Sequence, residues 1–71
     1  MLPLTPEQIA SLGSELAVKR QEHADLDAAI AAMQQTGRAD QMSIQRLKKK
    51  KLQLKDRIVE LEQLILPDII A

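Results

Sequence analysis

Two runs of apolar residues, spaced alternately three and four apart, leave this chain few ways to fold. The first passes through Ile9, Leu12, Leu16, Lys19, His23, Leu26, Ile30 and Met33, and is polar only at Lys19 and His23. The second passes through Ile44, Leu47, Lys51, Leu54, Ile58, Leu61 and Ile65, with Lys51 as its polar member. A 3-4 repeat holds one stripe of a helix against a neighbouring helix, so each run predicts an amphipathic helix with a coiled-coil seam. Between the runs Thr36-Gly37-Arg38 breaks the pattern, and Gly37 can take the left-handed conformation that ends a helix.

The ends of both helices carry their own signals. Thr5 is a good N-cap, Pro6 suits the first helical position, and Gln8 completes a capping box, while Leu4 and Ile9 stand at the positions of a hydrophobic staple. Asp40 and Ser43 both qualify to cap the second helix, and Pro67 stops it, leaving Asp68-Ile69-Ile70-Ala71 as an apolar tail. The expected plan is one domain over residues 1–71: a helix over about 6–36, a turn at 37–40, a helix over about 41–66 and a tail at 67–71.

The two seams also belong to each other. In an antiparallel hairpin, the residue numbers of facing positions add to a constant. Met33 with Ile44, Ile30 with Leu47, Leu26 with Lys51 and His23 with Leu54 all share one total; so do Lys19 with Ile58, Leu16 with Leu61 and Leu12 with Ile65. Each polar seam residue thereby faces an apolar one. The fold class that follows is all-α, an antiparallel two-helix hairpin of coiled-coil type.

Beside each seam runs a second heptad row. It consists of Ala10, Ala17, Ala24 and Ala31 on the first helix, and Leu52, Val59 and Leu66 on the second. A lone hairpin has nothing to bury these rows against. The expectation is that hairpins associate through them into a helical bundle, the alanines allowing close approach; otherwise Ala serves only helix propensity on an exposed face.

Composition narrows the function classes. With no Phe, Tyr or Trp, the core must rest on Leu, Ile and Met, which suits helix seams better than a sandwich or barrel. The absence of cysteine rules out disulfides and thiolate chemistry and fits a reducing compartment. The first residues lack a basic stretch followed by an apolar run, and no segment approaches the ~20 apolar residues of a membrane span. The expectation is a cytoplasmic protein without a membrane span. Formal net charge is zero, so any electrostatic role must come from local patches.

The most conspicuous patch is the basic segment Arg46, Lys48, Lys49, Lys50, Lys51, Lys55 and Arg57. Nucleic-acid or anionic-membrane contact is one reading. On a helix, however, consecutive residues fan out by ~100° each, so the four adjoining lysines cannot all face one phosphate backbone. In the hairpin register they lie opposite Glu22, Asp25 and Asp27, with Glu22 in reach of Arg57 or Lys50 and Asp27 in reach of Lys48 or Lys55. Ion pairs flanking the seam are therefore the expected role. The absence of aromatic stacking residues and of any reading-helix motif weakens the nucleic-acid alternative.

His23, the one histidine, precedes Asp27 by a helical turn, a spacing that can orient an imidazole for base catalysis or place two metal ligands together. No second histidine, cysteine or arranged nucleophile completes either site. A satisfied polar seam residue that fixes register is the better reading, with Lys19 and Lys51 turning their ammonium groups outward while their stems pack. Neither catalysis, a cofactor, a metal nor a small-molecule ligand is expected.

Laid out in this way, the chain resembles the YdcH-like family of small bacterial proteins, a coiled-coil-like domain of unknown function. The resemblance rests on Glu22-His23, Leu26-Asp27 and Ile30 in the first helix. In the second it rests on Arg46-Leu47-Lys48-Lys49, Lys51-Leu52-Gln53-Leu54-Lys55-Asp56 and Ile58, and it extends to the ending Leu66-Pro67-Asp68-Ile69-Ile70-Ala71. Arg57 departs from the pattern, in which an acidic residue commonly follows Lys-Asp. The resemblance implies a small bacterial cytoplasmic protein and supplies no reaction, ligand or partner. The function expected is a structural or protein–protein interaction module, acting as a homo-oligomer or on a protein partner. The alternative is a nucleic-acid-associated protein using the basic segment 46–57.

Overall fold

A computed structural model describes residues 4–37 and 40–65 of the chain. The expectations for Leu66, for the tail Pro67–Ala71 and for Arg38 within the turn fall outside the described residues. Helix α1 runs Pro6–Thr36 and helix α2 runs Gln41–Ile65. The radius of gyration, 15.8 Å, exceeds the ~11 Å of a globular domain of this length. The molecule is a rod, as two long helices side by side require.

Local chemistry sets the helix ends. The Thr5 hydroxyl accepts from the Gln8 backbone N–H at 3.1 Å, and the Thr5 N–H donates to the Gln8 side chain at 2.9 Å. That reciprocal pair is the expected capping box, and it satisfies two donors that the first turn leaves unpaired. Gly37 ends α1 with φ 65°, in the left-handed region. The choice between Asp40 and Ser43 falls to Asp40, whose carboxylate accepts from the Ser43 N–H at 2.7 Å. That hydrogen bond holds the Asp40 carboxyl below its ordinary range.

Among the described residues the buried side chains are Leu16, Ile30, Ile44, Leu54, Ile58 and Leu61, every one a seam position. Leu12, His23, Leu26, Met33, Leu47 and Ile65 are half-buried, as are Lys19 and Lys51. Leu16, Ile58 and Leu61 form the tightest cluster, flanked by Leu12 and Ile65, at the end of the rod away from the turn. This grouping is the one the matched register predicts. Ile9 is the exception: it continues the repeat but is 45% exposed. Its facing position lies beyond residue 65, so among the described residues no seam partner covers it.

Candidate functional site

The heptad that buries the seam gives the hairpin two broad faces. One carries Ala10, Ala17, Ala24 and Ala31 from α1 beside Leu52 and Val59 from α2. All of these are exposed, Leu52 at 61% and Val59 at 38%. The opposite face carries Glu15, Glu22, Lys50 and Arg57.

Ion pairs bridge the helices on both faces, though not between all the partners the sequence suggests. On the opposite face Arg57 takes Glu15 rather than Glu22, with Nε donating to Oε2 at 2.7 Å and Nη2 to Oε1 at 2.9 Å. The guanidinium also reaches Glu60, one turn further along α2. Glu22 instead lies 3.7 Å from Lys19. On the alanine face Asp27 takes neither Lys48 nor Lys55. It accepts from Lys51 at 2.5 Å, because the seam lysine extends outward and comes level with it. Arg20 and Glu62, which sequence reasoning did not pair, meet at 2.8 Å. The constant-total rule that aligned the seams could have found them, since flanking positions obey the same rule with a shifted constant.

These contacts tune the acids. Hydrogen bonds from Arg57 hold Glu15 below the usual carboxylate range, and the bond from Lys51 does the same for Asp27. In return, Glu15 and Glu60 push the Arg57 guanidinium up.

Surface grooves open beside the polar layers in the middle of the seam. On the opposite face a groove of about 380 Å³ is lined by Glu15, Lys19, Glu22, Lys50, Gln53, Leu54 and Arg57, a balanced mixture of charges. On the alanine face a groove of about 440 Å³ is lined by His23, Lys48, Lys51, Leu52 and Lys55. The lysine run therefore divides as its helical fan requires, yet one subset converges: Lys48, Lys51 and Lys55 stand at i, i+3 and i+7. That spacing is legible in the sequence once attention moves from the four consecutive lysines to the helical face.

His23 lines the basic groove, half-buried. It occupies the seam position expected of it. Asp27 turns to Lys51, and no protein group hydrogen-bonds the imidazole among the described residues. No cluster of three or more His, Asp or Glu side chains able to hold a metal occurs among the described residues. Among those residues no helix is long and apolar enough to cross a membrane.

Residues 16–62 match the family described as "Protein of unknown function (DUF465)", to which YdcH-like proteins belong. No curated protein and no solved structure matches the chain.

Proposed function

We propose, for a chain that belongs to the DUF465 family of proteins of unknown function, a non-catalytic role as a helix–helix interaction module of the bacterial cytoplasm. The hairpin would complete its apolar burial by laying its alanine face against a second helical surface, in another copy or in a protein partner.

One observation carries this reading. Among the described residues, six large apolar side chains are buried in the seam, and six others, Ile9, Val18, Met42, Leu52, Val59 and Leu64, remain exposed. Two of the six, Leu52 and Val59, form a heptad row on the same face as the alanines. Chains of this size rarely bury enough in one core for ample stability, and many complete their cores by association. A row of large residues repeating every two turns, on the same face as a row of small ones, suits the packing of another helix.

Sedimentation velocity over a dilution series, from hundreds of micromolar downward, tests the reading. The expected result is a mass above one chain that falls toward the monomer on dilution, and at every concentration for Leu52→Asp. A chain that stays monomeric throughout, with Leu52→Asp indistinguishable from it, would sink the proposal of self-association.

A further inference from the structure

We infer that the groove around Leu52 is built for an amphipathic helix whose apolar seam is flanked by carboxylates, supplied by a partner protein. The inference rests on the interaction-module reading and adds the chemistry of the occupant.

Charge bookkeeping on this face leaves a surplus of one sign. Arg20 is met by Glu62 and Lys51 by Asp27, whereas Lys48 and Lys55 pair with no carboxylate among the described residues. Both line the same groove as His23 and Lys51. A surface laid over Leu52 comes against these ammonium groups, and a cation left in such a contact without a counter-charge is unfavourable.

Spacing specifies the form in which that counter-charge comes. Lys48 and Lys55 are seven residues apart on α2, as are Leu52 and Val59, so each pair repeats after ~10.5 Å of helix. A helix with a seven-residue repeat presents apolar residues and flanking acids at that same interval, meeting both pairs in one register. A phosphate backbone could neutralise the lysines but would leave Leu52 and Val59 uncovered. A second copy laid face to face would cover the apolar row while adding two more unpaired lysines to the contact. Self-association through this face is therefore the weaker contact, falling away on dilution, and the acidic helix, which answers both requirements, displaces it.

The test uses the full chain and two designed peptides of four heptads (~28 residues, long enough to be helical), identical in their Leu and Ile seam. One carries Glu at both flanking positions and the other Lys, each labelled for fluorescence anisotropy, and a short duplex DNA serves as competitor. The acidic peptide should bind at least about tenfold more tightly than the basic one. Replacing Lys48 and Lys55 with Gln should weaken the acidic peptide by about three- to tenfold and remove most of the preference. Both lysines are exposed, so circular dichroism of that variant should match the parent.

Equal affinity for the two peptides would overturn the inference while leaving helix docking intact. Displacement of the acidic peptide by duplex DNA would reassign the groove to phosphate. Binding of neither peptide by a chain that still self-associates would make a second copy the occupant. Binding of neither by a chain that stays monomeric would remove both this inference and the reading beneath it.

Discussion

Arg57 closes the hairpin on Glu15 through a two-point clasp, its Nε and Nη2 each donating to a different carboxylate oxygen, at 2.7 and 2.9 Å. Paired geometry of this kind is directional, and it joins residues 42 positions apart in the chain. The side chains are about one-third exposed, so solvent weakens the contact but does not remove it. Glu15→Gln and Arg57→Gln should each lower Tm by a few degrees, with the double variant losing less than the two single losses combined. Strictly additive losses in a double-mutant cycle would show that the pair contributes nothing as a pair.

Acidification should destabilise the hairpin. The carboxyls of Glu15, Asp27 and Asp40 are all held below their ordinary values in the folded chain. Groups depressed in this way contribute stability that is complete above their unfolded values, near 4, and is lost as pH falls through their folded ones. Thermal melts should therefore be nearly flat from pH 7 to about 5 and decline below about 4. The combined Glu15→Gln and Asp27→Asn variant should decline less. A Tm that rises on acidification would contradict the ion-pair assignments.

Two leucines of similar sequence context should behave in opposite ways. Leu61 is fully buried between the helices, and Leu61→Ala removes packed atoms that the seam cannot replace, costing about 2–5 kcal/mol. For so small a domain that approaches its whole stability. Leu52→Ala, on the exposed row, should stay within about 0.5 kcal/mol when measured on the monomer. Denaturant titration of both variants at low protein concentration checks the contrast.

The two glycines should also respond with opposite sign. Gly13 lies within α1, and an added Cβ would meet nothing within 4 Å. Gly13→Ala should thus stabilise by about 0.5–1 kcal/mol through helix propensity. At Gly37 the space is equally open, but φ is 65°, where an L side chain is strained by its own backbone. Gly37→Ala should destabilise by roughly 1–2 kcal/mol. Chemical denaturation separates the two, and a loss at Gly13 would point to a close neighbour packed there in an assembly.

The amino-acid sequence by itself determined both ends of α1 and the seam. Thr5 with Gln8 and Gly37 act within a few residues of their own positions, and the apolar repeat states which stripe of each helix is buried. Facing layers followed from simple matching, because two antiparallel helices of fixed rise can align their repeats only in discrete steps. The tertiary structure decided which charges meet. By sequence Arg57 could pair with either Glu15 or Glu22, and Asp27 with Lys48, Lys51 or Lys55. The choice depends on side-chain directions and on the lateral offset of the two helices, which periodicity does not encode. It also decided that Lys48, Lys51 and Lys55 share a groove with His23, because that groove is formed by side chains of both helices once they are docked.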